Sequence, residues 1–260
     1  SAMKNMLKKL NDCSIPTVGL GTWKLKGKEC ESAVRKALDI GYRHIDTASF
    51  YENEESIGKA IANQRREKLF LTSKVWKDKL QYKDFKKSVE ESLKKLKMEY
   101  LDLLLIHWPN PDIPLSETIR AMNELVEEDK ALYIGVSNFE KSQLEKACRF
   151  SEYPIATNQV KYHAGMNGAS TLNYCQKNDI FLTSYSPLGR GEILEQEELT
   201  RIAAKYGKTP GQIALKWLID QENVLAIPKA SSTKHLKENI RLFDWDLNEE
   251  DTRKLDKLVI

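Results

Sequence analysis

One complete strand-to-helix transition is contained in the stretch Gly41-Tyr42-Arg43-His44-Ile45-Asp46-Thr47-Ala48-Ser49-Phe50-Tyr51-Glu52-Asn53-Glu54. A short run of alternating apolar and polar residues, 42–47, predicts a strand that ends at Asp46. The loop that follows carries Tyr51. Asn53 and Glu54 then open a helix, where an Asn and acidic groups suit the positive helix end. A carboxylate at a strand tip with a tyrosine just beyond it indicates a functional site.

The same strand–helix rhythm recurs along the whole chain. After a hairpin turning at Asn11-Asp12, the predicted strands are 17–23, 44–47, 69–76, 100–108, 132–137, 155–160, 180–185 and 224–228. The predicted helices are 29–38, 55–62, 82–97, 115–128, 141–150, 169–177, 196–206, 210–220 and 249–258. Eight such units in about 250 residues predict a (β/α)8 TIM barrel. The alternative is a doubly wound sheet, but Gly19-Leu20-Gly21-Thr22-Trp23 lacks the third glycine of a dinucleotide-binding turn.

Composition narrows the class of protein. We interpret 1–260 as a single domain, because no linker or low-complexity segment interrupts it, and Ser1-Ala2 as a remnant of cloning. The net charge of only +3 gives no basis for nucleic-acid binding. No apolar run approaches the roughly 18 residues of a membrane span, and the opening segment lacks a signal-peptide core. Widely spaced cysteines without a CxxC motif predict free thiols and a cytoplasmic protein.

In a barrel, functional residues sit at the carboxyl ends of the strands. Lys74 ends one apolar strand, and a buried ammonium needs a partner, for which Asp46 on the adjacent strand is the candidate. An alternative role for Lys74 is that of a Schiff-base nucleophile in a lyase or aldolase. That role requires a lowered lysine pKa, which a carboxylate partner opposes.

His107 and Tyr51 complete a set suited to carbonyl chemistry. A neutral imidazole at His107 could hold a carbonyl oxygen by a hydrogen bond. We expect Lys74 to lower the pKa of Tyr51, so that the phenol can give a proton to that oxygen, while Asp46 keeps Lys74 charged. Side chains carry no hydride, so a nicotinamide cofactor is implied.

The remaining strand ends can serve such a cofactor. Tyr185 can stack on the nicotinamide ring, and Ser137, Asn138 and Gln159 can hydrogen-bond its carboxamide. Lys229, after the last strand, lies where barrels often bind phosphate.

Five motifs together resemble the aldo-keto reductase family, and the resemblance covers residues 18–239: Gly41-Tyr42-Arg43-His44-Ile45-Asp46-Thr47-Ala48, Leu105-Ile106-His107-Trp108-Pro109, Gly135-Val136-Ser137-Asn138-Phe139, Ser184-Tyr185-Ser186-Pro187-Leu188-Gly189 and Ile227-Pro228-Lys229. Within that family the chain is most similar to the short bacterial reductases of 2,5-diketo-gluconate and methylglyoxal. The resemblance implies a barrel closed at its bottom by an N-terminal hairpin, with no long C-terminal loop. It also implies reduction of small-molecule aldehydes and ketones by NADPH, in a protein that is a monomer.

The resemblance also assigns residues. It implies a catalytic set of Tyr51 as proton donor, Lys74 and Asp46 as the groups that tune it, and His107 as the group that orients the substrate. It places cofactor contacts at Thr22, Trp23, Asp46, Ser137, Asn138, Gln159, Tyr185, Ser186, Leu188, Lys229, Ser231, His235, Glu238 and Asn239. It lines the substrate pocket with Trp23, Phe50, Trp76 and Trp108.

The chain departs from the family pattern at three places. His235 stands where the family usually has an arginine that grips the 2′-phosphate, and Ala230 replaces a common serine, so NADH is an alternative cofactor. Lys161-Tyr162-His163-Ala164 replaces the common Glu-x-His-Pro. The short C-terminus implies an open pocket for small or varied carbonyls. A nucleotide-sensing regulatory subunit with little turnover is the alternative function.

Overall fold

Eight parallel strands form the centre of the molecule and neighbour one another in their order along the chain. The structure, a computed structural model, describes residues 6–189 and 191–260, so the interpretation of Ser1 and Ala2 lies outside the described residues. The strands are β3 Leu20–Gly21, β4 His44–Asp46, β5 Phe70–Val75, β6 Leu101–Ile106, β7 Ala131–Ser137, β8 Ile155–Lys161, β9 Phe181–Tyr185 and β10 Val224–Ala226. The first of them is shorter than the predicted 17–23, because only Leu20 and Gly21 pair with β4.

The sheet closes on itself through the segment before β3. Val18 bridges Ala226 in parallel, and the Gly19 amide donates to the Ala226 carbonyl at 2.9 Å. At Gly21 a Cβ would lie 2.6 Å from the Ile227 carbonyl oxygen, so glycine permits the close backbone approach that seals the seam. The (β/α)8 barrel is therefore confirmed, and the doubly wound alternative, which would leave two free edges, is wrong.

Helices surround the barrel and pack their apolar stripes against it. They are α1 Gly27–Ile40, α2 Glu54–Ile61, α3 Tyr82–Leu96, α4 Leu115–Glu127, α5 Lys141–Phe150, α6 Ala169–Lys177, α7 Glu197–Tyr206, α8 Pro210–Ile219, α9 Thr233–Ile240 and α10 Glu249–Asp256. In α3 the buried residues Phe85, Val89, Leu93 and Leu96 follow the helical spacing that predicted it. The sequence did not predict α9. No helix in the described part of the chain is long and apolar enough to cross a membrane.

An antiparallel hairpin covers the N-terminal end of the barrel. Its strands are β1 Leu7–Leu10 and β2 Cys13–Pro16, joined by the predicted turn at Asn11-Asp12. Ile15 is fully buried against apolar side chains inside the barrel, including Phe70 and Phe181. The predicted closing hairpin is confirmed, and it leaves the opposite end of the barrel as the open one.

Candidate active site

A cavity of about 850 Å³ opens at the carboxyl ends of the strands. Its walls include most of the residues that the sequence predicted at strand ends: Thr22, Trp23, Asp46, Phe50, Tyr51, Trp76, His107, Trp108, Ser137, Asn138, Gln159, Tyr185, Ser186, Leu188 and Lys229. These residues are scattered over about 200 positions of sequence, and barrel closure brings them to one cavity.

An ion pair between neighbouring strands is buried next to the cavity; Asp46 lines the cavity and Lys74 does not. Lys74 Nζ lies 2.6 Å from Asp46 Oδ1, and the two side chains are 0% and 2% exposed. Gln159 Nε2 donates to the other carboxylate oxygen, Oδ2, at 2.8 Å. Burial alone would lower the pKa of Lys74, but the Asp46 charge and the hydrogen bonds of the ammonium raise it above its ordinary value. Since a Schiff-base lysine needs a lowered pKa, the structure argues against the aldolase alternative.

Tyr51 stands beside this ion pair on a short 3-10 helix, Ser49–Tyr51, which ends at Glu52 in the left-handed conformation. Lys74 Nζ donates to the Tyr51 hydroxyl oxygen at 3.0 Å. Burial raises the pKa of Tyr51, the Lys74 charge opposes this, and the Asp46 charge adds to the rise. The net pKa lies above its ordinary value, because burial outweighs the nearby cation. Lys74 nevertheless shifts the pKa in the expected direction, because a nearby cation favours the phenolate.

His107 follows β6 and packs edge-on against two rings. The centroid of its ring is 5.5 Å from that of Tyr51 and 5.1 Å from that of Trp76. Burial, with the charge of Lys74, lowers the pKa of His107 to about 3, so the ring is neutral at physiological pH. Its Nδ1 is buried and has no hydrogen-bond partner in the described part of the chain. A proton on Nδ1 would be a buried donor without an acceptor, so we assign the proton to Nε2.

Four aromatic side chains form the outer rim on the side of β3 to β6. Phe50 and Trp76 stack with centroids 3.8 Å apart and planes 10° from parallel. Trp23, Phe50 and Trp108 are about half exposed, at 53%, 52% and 41%. Large aromatic surfaces left in water at a cavity mouth indicate a binding site.

The opposite wall, from β7 to β9, is a network of polar side chains. The Tyr185 hydroxyl donates to Asn138 Oδ1 at 2.6 Å, and Asn138 Nδ2 donates to the His107 carbonyl at 3.0 Å. Ser137 Oγ donates to the Gln159 carbonyl at 2.8 Å. Asn138 and Ser186 adopt positive φ of 61° and 48°, a conformation that costs non-glycine residues energy and is concentrated at functional sites.

Four predicted cofactor residues do not line the cavity: Ser231, His235, Glu238 and Asn239. Three of them belong to α9, whose N-terminus lies just after the exposed Lys229. Ser232 caps α9 by accepting from the His235 amide at 3.2 Å. A helix N-terminus next to a lysine favours an anion, so this region fits a phosphate group at the edge of the cavity.

Some lining residues escaped the sequence prediction: Gly21, Lys24, Lys161, Pro187, Gly189, Ile227 and Pro228. Most of them are next to a predicted residue in the same loop, so a prediction that included every residue of those loops would have found them. Lys161 was noted only as a departure from the family pattern. In the described residues, no group of three or more His, Cys, Asp or Glu side chains is arranged to hold a metal ion.

A parallel barrel with a buried Asp–Lys pair beside a tyrosine and a neutral histidine defines an oxidoreductase of carbonyl compounds, and comparison with known proteins agrees. The Aldo/keto reductase family matches residues 17–260, and the chain belongs to this family. It is 39% identical to the glyoxal reductase of Bacillus subtilis over 99% of this chain and 94% of that protein. It is 36% identical to the methylglyoxal reductase DkgB of Escherichia coli O157:H7, over 93% and 92% of the two chains.

A solved structure of a Gox0644 mutant in complex with NADPH superimposes with a TM-score of 0.92. It is 32% identical and covers 98% of this chain and 93% of that one. The predicted family, its barrel fold and the similarity to short bacterial reductases are confirmed. The regulatory-subunit alternative is not supported, since the relatives described are named as reductases.

Proposed function

We propose that the chain reduces small aldehydes and ketones to alcohols, with NADPH as reductant and Tyr51 as proton donor. The proposal rests on the position of the Lys74 ammonium, which lies 2.6 Å from Asp46 Oδ1 and 3.0 Å from the Tyr51 hydroxyl oxygen. A phenol is a weak acid at neutral pH, and a fixed cation beside it favours proton release as negative charge develops on the substrate oxygen.

Each residue of the catalytic set then has one task. Tyr51 holds the proton that the carbonyl oxygen receives. His107, neutral with its proton on Nε2, donates a hydrogen bond to the same oxygen and fixes the carbonyl in the cavity. Lys74 stabilises the phenolate left behind, and Asp46 keeps Lys74 charged in a site that excludes water. Gln159 holds Asp46 in place through Oδ2.

The polar wall fits a nicotinamide cofactor. The half-buried Tyr185 ring can stack on the nicotinamide, while Ser137, Asn138 and Gln159 can bind its carboxamide. Thr22, Trp23, Ser186 and Leu188 would contact the cofactor along the cavity. Lys229 would hold its phosphate end, and Ser231, His235, Glu238 and Asn239, in or just before α9, would contribute further cofactor contacts. When bound, the reduced nicotinamide supplies the hydride that the carbonyl carbon receives.

The substrate proposal is a small carbonyl compound. It is supported by the cavity, whose lining includes Trp23, Phe50, Trp76 and Trp108, and by relatives named for glyoxal and methylglyoxal. We further propose that 1–260 is one catalytic domain, active as a cytoplasmic monomer without a nucleic-acid partner. The small net charge of +3 supports the proposal of no nucleic-acid partner, and the free cysteines support the cytoplasmic location.

The test is NADPH oxidation with a panel of methylglyoxal, glyoxal and aromatic aldehydes, for the wild type and Tyr51→Phe. Tyr51→Phe removes only the hydroxyl, and losing a general acid costs about 10²–10⁴-fold in kcat. NADPH binding, measured by fluorescence quenching, should be unchanged in the variant. Full activity of Tyr51→Phe, or tight NADPH binding without turnover of any carbonyl by the wild type, would refute the proposal.

A further inference from the structure

Asn53 occupies the N-cap position of α2 but does not cap the helix. Asparagine is among the preferred N-cap residues because its side chain can accept from the first helical amides. Here the Asn53 side chain makes no capping hydrogen bond and is only 1% exposed. The helix therefore gives up a stabilising contact, and the amide group of Asn53 is used elsewhere.

The Asn53 side chain joins three separate segments. Its Nδ2 donates to the Thr22 carbonyl at 2.9 Å and to the Leu25 carbonyl at 3.0 Å, both in the turn after β3. Its Oδ1 accepts from Thr47 Oγ1 at 2.5 Å, directly after β4. The third segment is its own, which leads from the 3-10 helix into α2.

The Tyr51 loop carries the proton donor, and the other two segments contact or adjoin Asp46. Thr22 Oγ1 donates to the Asp46 carbonyl at 2.8 Å, and Thr47 is the next residue after Asp46. Tyr51 lies two residues before Asn53, separated from it by Glu52 in the left-handed conformation. The Asn53 side chain is thus a direct bridge from the Tyr51 loop to both sides of Asp46.

We propose that Asn53 is a positioning residue for proton transfer, which sets the distance between the Tyr51 hydroxyl and the Asp46–Lys74 pair. This rests on the proposed function. Without the bridge, the Tyr51 loop would be tied to β4 and β3 mainly by backbone contacts, and the 3.0 Å contact with Lys74 would lengthen. Asn53 also fixes the turn that presents Trp23, so one side chain aligns the proton donor with one wall of the pocket.

The charged and titratable groups that face Tyr51 are Asp46 on β4, Lys74 on β5, His107 after β6 and Tyr185 on β9. Only Lys74 favours the phenolate among the charges acting on Tyr51. Moving Tyr51 away from Lys74 should therefore raise the pKa of the phenol and slow the proton transfer. A purely structural role for Asn53 would change neither the pKa of Tyr51 nor the rate of proton transfer.

The experiment compares Asn53→Ala with Asn123→Ala. Asn123 is a matched control because it is also buried and makes two side-chain hydrogen bonds, to Ser151 Oγ at 3.0 Å and from the Glu152 amide at 2.9 Å, remote from the cavity. Asn53→Ala should lower kcat on the order of tenfold to a hundredfold, as small displacements of reacting groups do. The fall in kcat at alkaline pH should occur at a higher pH than in the wild type. Asn123→Ala should melt at a lower temperature with wild-type kcat and pH profile.

A second measurement does not depend on turnover. Ultraviolet titration of Tyr51, taken as the difference between each protein and its Tyr51→Phe counterpart, should have a higher midpoint in Asn53→Ala. If Asn53→Ala does not fold, Thr47→Val removes the donor to Oδ1 alone and should move kcat and the titration in the same direction by a smaller amount. A wild type that reduces no carbonyl refutes the proposed function, while the titration still decides on Asn53. An unchanged titration and kcat in variants that fold would overturn the proposal.

Discussion

Replacing Lys74 by methionine tests the centre of the site most directly. Methionine has a similar length and no charge, so the substitution removes the ammonium that lies between Asp46 and Tyr51. The side chains of the pair are 0% and 2% exposed, which means that Asp46 is left as a buried carboxylate with Gln159 as its remaining side-chain partner. Removing one member of a buried ion pair typically costs about 3–5 kcal/mol of stability.

The substitution should also impair catalysis directly. With Lys74 absent, burial and Asp46 both raise the pKa of Tyr51 and nothing opposes them. We expect kcat to fall by about 10²–10⁴-fold, the range that a general acid contributes. Reduction needs the protonated phenol, so the wild-type rate falls as pH rises through its pKa, and in Lys74→Met this fall should move to higher pH. NADPH oxidation by methylglyoxal across a pH series measures both effects.

Lys216→Met is the matched control. Lys216 is also fully buried and donates to the Leu242 carbonyl at 2.7 Å, but it lies on α8 outside the cavity. It should destabilise the protein without moving the pH profile. If the rate of Lys74→Met falls at the same alkaline pH as that of the wild type, or at a lower pH, then Lys74 does not lower the pKa of Tyr51 and its proposed role is wrong.

Two further predictions concern pH stability and the cofactor. In the folded protein the pKa of His107 is about 3, below its ordinary value of 6.5. As the pH falls, the unfolded chain therefore binds a proton before the folded protein does. The free energy of unfolding decreases below about pH 6.5, by up to about 1.4 kcal/mol per pH unit. Between about pH 7 and pH 5, the melting temperature of His107→Gln should decline less than that of the wild type. An identical decline in both proteins would show that the ring is not buried as a neutral group. Lys229→Met should weaken NADPH binding by about ten- to a hundredfold, because a charge-assisted contact contributes about 1.5–3 kcal/mol. Fluorescence quenching should show less loss for NADH and a smaller effect at high salt; equal losses for both cofactors would place the 2′-phosphate away from Lys229.

The local sequence was sufficient to predict the fold, because the spacing of apolar residues and the polar residues at the strand ends indicate the same strand–helix order along the chain. The strands β4 and β5, which carry Asp46 and Lys74, and β6, which precedes His107, are buried along their whole length, as expected of parallel strands covered on both faces. The first strand was predicted too long, since the apolar run before Leu20 forms only a bridge to Ala226. Helix α9 was missed because its residues were considered only as ligand contacts.

The sequence by itself determined the strand–helix order and the identity of the residues at the barrel mouth, because both depend on patterns within a few neighbouring residues. Tertiary structure alone decided how those residues act on one another. The pKa of Tyr51 rises because burial, a property of the whole fold, outweighs the nearby cation. Gln159 holds Asp46, and Asn53 turns away from its helix to bridge β3 and β4, because barrel closure brings distant segments within hydrogen-bond distance. Burial and barrel closure depend on contacts among many segments, so no local sequence pattern indicates them.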